Sequence, residues 1–282
     1  MNIRQVTQFN RVVDIEALSN YLLSRRNMDG GFCFYGLDES SLNDTFYAVL
    51  ILDIINKLPE DKKTVEYIAS FQMKKLGFTS IYSAWMALKS LKILNESRLN
   101  GLDNLVIKLY KSHRIHERVY VESASVFESS YYLADMLSMI GRHGDCGSIA
   151  DAVLKYRLKD SNFGTIEPTM ASTFYALSIL HLAGRPMDEY KDAAKFLNAC
   201  AVGSGGFSKK PDMGLAFMDE IYYAVLSLRL LGLRPALEKK TADFISGCQN
   251  ENGGFRRALA SGISGFDTSY YAMEALRALL NV

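Results

Sequence analysis

The chain has 282 residues, 49% of them hydrophobic, which is enough to bury a large core in one or two domains. Its 32 Lys+Arg stand against 31 Asp+Glu, so there is no basic field that would draw in nucleic acid or an anionic membrane. Four scattered cysteines (Cys33, Cys146, Cys200, Cys248) without a CxxC pair suit a reduced, cytoplasmic compartment, and no apolar run reaches the length of a signal peptide or membrane span.

In chain order, six segments share one pattern: DTFYAVLILDII at 44–55, IYSAWMALKSL at 81–91, SSYYLADMLSMIG at 129–141, STFYALSILHLAG at 172–184, IYYAVLSLRLLG at 221–232 and TSYYAMEALRALL at 268–280. Tyr47, Ser83, Tyr132, Tyr175, Tyr223 and Tyr271 take the same place in them. Ahead of each lies a more polar helical stretch, clearest in KKTVEYIASFQ, YKDAAKFLNAC and EKKTADFISGCQ. The two are joined by a glycine-aromatic turn: Gly30-Gly31-Phe32, Gly77-Phe78, Gly205-Gly206-Phe207 and Gly253-Gly254-Phe255, with degenerate forms in copies three and four (Asn162-Phe163-Gly164). A two-helix unit recurring every 40 to 50 residues or so predicts an all-α repeat architecture, a single domain over 1–282, in which each unit buries its apolar face against its neighbours.

The polar stretches carry apolar residues at helical spacing with Lys and Glu between, and are expected outside. The second helix of each unit is apolar nearly all round and is expected inside. Glycine lets the chain leave the outer helix through positive φ, and the following Phe covers the helix end. The long loops after each turn all fall on one end of the stack, a common binding face of repeat proteins.

If the inner helices begin at that end, their unpaired N–H groups converge there and suit an anionic or strongly polar group. Acidic residues stand at the same starts: Asp44, Glu128, Asp219, Glu220 and Asp267. They are expected either to cap the helices or to form a ring of carboxylates serving as acid, base or ligand. Asp44, Asp219, Glu220 and Asp267 are the catalytic candidates.

The aromatic pairs one turn further in, Phe46-Tyr47, Tyr131-Tyr132, Phe174-Tyr175, Tyr222-Tyr223 and Tyr270-Tyr271, join Tyr82 and Trp85 as core filler or as the wall of a lumen for an elongated apolar ligand. Tyr47, Trp85, Tyr132, Tyr175, Tyr222, Tyr223, Tyr270 and Tyr271 are the substrate-binding candidates. Lys209, Lys210, Arg256 and Arg257 follow two of the turns, where they would hold a phosphate or remain solvated. His113 and His116 in KSHRIHERVY form an i, i+3 pair that reads as a solvated loop pair or, less simply, as metal ligands.

Gln249-Asn250-Glu251-Asn252-Gly253-Gly254-Phe255 followed by Thr268-Ser269-Tyr270-Tyr271-Ala272 resembles the repeat of the protein prenyltransferase β-subunits and of the squalene and terpene cyclases. The resemblance covers nearly the whole chain. It implies an α6/α6 toroid with an aromatic-lined funnel for isoprenoid chains, a separate α-subunit as partner in the protein prenyltransferases, and closure of the repeats into a ring. The residues that carry chemistry in that superfamily do not match. The places of its zinc ligands hold Glu220, Tyr222 and Thr268, and those of its diphosphate-binding basic residues hold Thr169, Gly214 and Phe217. The nearest approaches to an Asp-x-Asp-Asp proton donor, Ser41-Leu42-Asn43-Asp44 and Ser264-Gly265-Phe266-Asp267, keep only the last Asp. No cofactor is expected, zinc included. The sequence therefore points to a prenyltransferase-like toroid for an isoprenoid or other elongated apolar ligand. A non-catalytic peptide- or protein-binding toroid and a glycan-active α6/α6 enzyme using two rim carboxylates are the alternatives.

Overall fold

The structure is a computed structural model that describes residues 8–36, 39–60, 62–71, 78, 80–95, 102–112, 126–260 and 262–281. Among these, twelve α-helices of seven residues or more follow one another: α1 (Ile15–Leu23), α2 (Leu42–Ile54), α3 (Lys63–Ser70), α4 (Ile81–Ile93), α5 (Leu102–Ser112), α6 (Val126–Met139), α7 (Cys146–Leu154), α8 (Met170–Leu182), α9 (Ala193–Ala199), α10 (Met218–Leu230), α11 (Glu238–Gly247) and α12 (Phe266–Leu280). The even-numbered helices are the inner ones. Each packs on the next, α2 on α4, then α6, α8, α10 and α12, and α12 returns to α2. The ring is closed, and the fold is an all-α toroid of six helix pairs. None of the described helices is long and apolar enough to cross a membrane.

The inner and outer assignments follow from burial. In α8 every residue from Thr173 to Leu180 is buried, as a helix surrounded on all sides requires. In α11 only Thr241, Phe244 and Ile245 are buried, one stripe of an amphipathic surface helix.

The glycine-aromatic turns repeat bond for bond. Asn27, Val202 and Asn250 each donate their N–H to the second glycine's carbonyl (Gly31, Gly206, Gly254; 2.8 to 3.0 Å), and the degenerate turn repeats this with Leu158 and Asn162 at 2.7 Å. The Phe after each turn (Phe32, Phe163, Phe207, Phe255) is buried. In three units its N–H donates to a hydroxyl two residues before the repeat tyrosine: Phe32 to Thr45 (2.9 Å), Phe163 to Thr173 (3.3 Å) and Phe255 to Ser269 (3.0 Å). The Ser/Thr of the repeat is therefore a clamp that fixes the loop to the first turn of its own inner helix. Gly77 and the pair His113/His116 lie outside the described residues.

Gly30, Gly205 and Gly253 have φ near +90° to +104°, and a Cβ on any of them would overlap the backbone of the next outer helix, at Lys63, Lys240 and Ala17 respectively. The last of these contacts closes the ring, because Ala17 is in α1. Gln249 completes the closure. Its side chain accepts from the Asp14 N–H (2.8 Å), and its amide donates to the Asp14 and Gly253 carbonyls (2.8 and 2.9 Å). Ser246 adds a bond to the Val12 carbonyl at 2.6 Å.

Candidate functional site

Asp44, Asp219, Glu220 and Asp267 at the inner-helix starts are not the caps. Ser41, Ser80 and Thr169 cap α2, α4 and α8, each accepting from the backbone N–H three residues on, whereas α10 and α12 have no side-chain cap bond. Short hydroxyl side chains reach that N–H from the extended cap position. Asp44 accepts instead from the Phe34 N–H (3.1 Å), Asp219 takes a bidentate bond from Arg257 (2.9 and 2.8 Å), and Asp267 accepts from the N–H and hydroxyl of Thr268. Asp44 and Asp219 are thus held in loop-fixing bonds, and Asp267 in a local bond within the first turn of α12.

Glu220 differs. It is buried at the start of α10, and burial, reinforced by neighbouring Asp219, pushes its carboxyl up to about 7 against the opposing pull of Lys209 and Arg257. A carboxyl raised in the folded state carries no penalty below about pH 4.5, where it is protonated folded or unfolded. The penalty grows between there and pH 7 and is complete above. The side chain keeps some contact with water, so the cost at pH 8 is about 1–2 kcal/mol. Glu220→Gln is accordingly expected to raise the melting temperature at pH 8 and to leave it unchanged at pH 4.5. An equal effect at both would contradict the assignment.

Of the basic candidates, Lys210 pairs with Glu167 (2.6 Å), Arg257 with Asp219, and Arg256 donates to the Asn250 side chain (2.9 Å) and the Gly247 carbonyl (2.8 Å). Lys209 stands near Glu220.

The aromatic candidates form two belts around the ring. Toward the helix N-termini, Tyr82, Tyr132, Tyr175, Tyr223, Tyr271 and Tyr47 follow one another, with ring centroids 5.1, 6.5, 5.7, 6.1 and 6.3 Å apart in that order. Their hydroxyls share hydrogen bonds. Tyr132 and Tyr175 donate to Glu128 (2.5 and 3.3 Å), Tyr175 and Tyr223 meet at 3.5 Å, and Tyr82 donates to Asn43 (2.7 Å). Deeper in, Phe46, Trp85, Tyr131, Phe174, Tyr222 and Tyr270 make the second belt, at 4.8, 6.2, 6.1, 5.3 and 5.8 Å.

A cavity of about 550 Å³ lies beyond the second belt, in the C-terminal halves of the inner helices. Its floor is Tyr131, Phe174, Tyr222 and Tyr270, so it is the first ring of each of these pairs that faces the lumen. Burial pushes the Tyr131, Tyr222 and Tyr270 hydroxyls well above the usual tyrosine value, and they stay protonated. Four residues on, Leu50, Asp135, Ser178, Leu226 and Glu274 form the wall. Seven residues on, Asp53, His181, Arg229 and Arg277 form the mouth, joined by Lys89, four residues on from Trp85. Positions i, i+4 and i+7 lie on one face of a helix, so each inner helix turns the same stripe to the lumen. The expectation of inner helices apolar nearly all round is corrected here: beyond their first turns, Asp53, Lys89, Asp135, Arg229, Glu274 and Arg277 are gathered on that stripe. Their spacing from the aromatic pair was the signal in the sequence that would have found them.

Two ion pairs brace the wall. Asp135 accepts from the Trp85 indole (2.7 Å) and from Lys89 (3.0 Å), and the ammonium lies 5.1 Å from the Trp85 ring centre. Burial pulls Lys89 down, but Asp135 more than offsets it and the pKa ends above the usual lysine value. Glu274 pairs with Arg277 at 2.7 Å; burial raises its carboxyl against the pull of Arg277, Lys89 and Arg229. Tyr222 and Tyr270 are thus placed at the cavity. Tyr47, Tyr132, Tyr175, Tyr223 and Tyr271 are in the belt above it, and Trp85 is in the floor belt, behind Asp135.

The chain belongs to the prenyltransferase alpha-alpha toroid domain family, whose model matches residues 1–103 and 79–276. No curated protein matches it in sequence. Its fold is similar to that of Candida albicans protein geranylgeranyltransferase-I complexed with GGPP (TM-score 0.68, 17% identity, 99% of this chain and 90% of that one). It is also similar to a type II terpene cyclase from Scytonema in complex with geranylgeranyl dihydroxybenzoate (TM-score 0.60, 12% identity, 99% and 98%). The zinc implied by the protein prenyltransferase resemblance does not fit the residues here. Tyr222 packs its ring on Phe174 and Tyr271, Thr268 is tied to Asp267, and no three His, Cys, Asp or Glu among the described residues gather as a metal site needs.

Proposed function

We propose that this toroid binds an elongated apolar molecule of the isoprenoid class in its lumen, with the chain against Tyr131, Phe174, Tyr222 and Tyr270. The observation that carries this is the 550 Å³ aromatic-floored cavity, within the range of small-molecule sites. The two solved relatives named above, which hold geranylgeranyl compounds in the same fold, support it. The reading is of binding, because the positions at which the superfamily keeps its transfer and cyclisation chemistry carry Tyr222, Thr268 and Asn43 in this chain.

The experiment is a titration with farnesol followed through Trp85, the only tryptophan, whose ring lies 6.2 Å from Tyr131 in the floor. Saturable quenching is expected. Ser178→Phe, which places a ring in the cavity from its wall, should weaken binding tenfold or more while the helical circular dichroism stays the same. Equal binding by that variant, or none by the native chain, overturns the reading.

A second reading, a protein or peptide partner on the loop face, is favoured by apolar side chains that the long loops expose: Tyr35 (76%), Ile166 (91%), Leu215 (62%) and Ile263 (75%). The α-subunit-like partner of the family would belong there.

A further inference from the structure

The cavity opens at the helix C-termini, opposite the loop face where helix N-termini would favour an anion. The mouth residues other than Lys89 are repeat-equivalent, and pairing across the mouth is uneven. Lys89 is matched by Asp135, and Arg277 by Glu274, with Asp53 also within electrostatic reach. The Arg229 side chain makes no hydrogen bond or ion pair with any described residue, although it lines the cavity and is exposed. It stands on α10 between His181 of α8 and Arg277 of α12, neighbours in the ring.

Basic residues in a last helical turn offset the helix dipole wherever they point. That accounts for the presence of a cation here, and not for its facing the lumen between two further nitrogen-bearing side chains. Asp53 stands on α2, beside Arg277 of α12, and Asp135 and Glu274 also line the cavity, so a head of several negative charges would meet three carboxylates. One negative charge beside Arg229 has Glu274 within electrostatic reach, and that carboxylate is already paired with Arg277.

We propose that the C-terminal mouth is the head-group site of the lumen's ligand, that it takes a singly charged anion such as a carboxylate, and that Arg229 is its direct partner with Arg277 and His181 flanking. This rests on the lumen being the site of the apolar chain. A planar guanidinium meets a carboxylate with two parallel hydrogen bonds, which gives the head a fixed orientation.

The test compares three probes with the same fifteen-carbon chain, farnesol, farnesoic acid and farnesylamine, titrated against Trp85 fluorescence. Farnesoic acid is expected to bind about tenfold tighter than farnesol and farnesylamine no tighter than farnesol. Arg229→Gln is expected to bring farnesoic acid down to the farnesol level, leave farnesol unchanged and leave the melting temperature unchanged. Arg229→Lys, which keeps the charge, should retain part of the preference. Equal binding of acid and alcohol, tightest binding of the amine, or an Arg229→Gln loss shared by all three probes overturns the head-group assignment while the lumen reading stands. No binding of any probe removes both.

Discussion

Gly253→Ala is expected to destabilise the toroid by about 3 kcal/mol or more, seen as a fall in Tm of roughly 8 °C. Gly253 has φ +91°, a conformation that costs an L-residue about 1–2 kcal/mol by itself. Its Cβ would also fall on the Ala17–Leu18 peptide of α1, where backbone has no rotamer to give. That contact and the two Gln249 bonds to Asp14 join the last repeat to the first, so the variant strains the closure that distinguishes a ring from an open stack. Gly184→Ala is the control. Gly184 has φ +69° and open space around it, so the loss there is limited to the backbone term of about 1–2 kcal/mol. Equal losses at the two positions would show that the approach of the repeats contributes nothing.

Asp135→Asn removes one charge from a site where two donors converge, and a destabilisation of about 2 kcal/mol is expected. The Asn oxygen can still accept from one of Trp85 and Lys89, but the ammonium loses its counter-charge. In the native chain Asp135 holds the Lys89 pKa above the usual lysine value against burial. Without it burial prevails, and the pKa is expected to fall below that value. The native pair therefore stabilises the fold at neutral pH and loses that contribution only as the pH rises through the lysine range. In the variant, stability should instead begin to suffer at lower pH, because an amine that prefers to be neutral when folded costs free energy while it is kept charged. NMR titration of labelled lysine side chains reads the shift directly. A Lys89 resonance that titrates as before would show that Asp135 does not set it. The emission of Trp85 should change as well, since its indole donates to the same carboxylate oxygen at 2.7 Å.

The six-unit repeat, the division into outer and inner helices and the place of the glycine-aromatic turns were legible in the sequence. They rest on local causes: the period of apolar residues, positive φ at Gly30, Gly205 and Gly253, and the Phe that follows each turn. The degenerate fourth turn shows how far the local signal can fade. There Asp160 and Ser161 take φ of +57° and +58° in place of glycine, and Phe163 is buried as its counterparts are. The superfamily too was recognisable, through Gln249 to Phe255 and Thr268 to Ala272.

Ring closure, which of two aromatic neighbours meets the lumen, and the end at which the cavity opens were decided by tertiary structure. Closure depends on Gln249 meeting Asp14, 235 residues away in the chain, a contact without a local signature. Tyr222 and Tyr223 are equivalent in composition, and only the packing of α10 between α8 and α12 puts one on the cavity floor and the other in the belt above. The acids at the helix starts read as caps or catalysts, yet Arg257, arriving from another repeat, claims Asp219, and Phe34 claims Asp44. Sequence by itself fixes what each helix can bury. Which of its polar groups meet one another, and so which remain free for a ligand, is set by the six helices packed together.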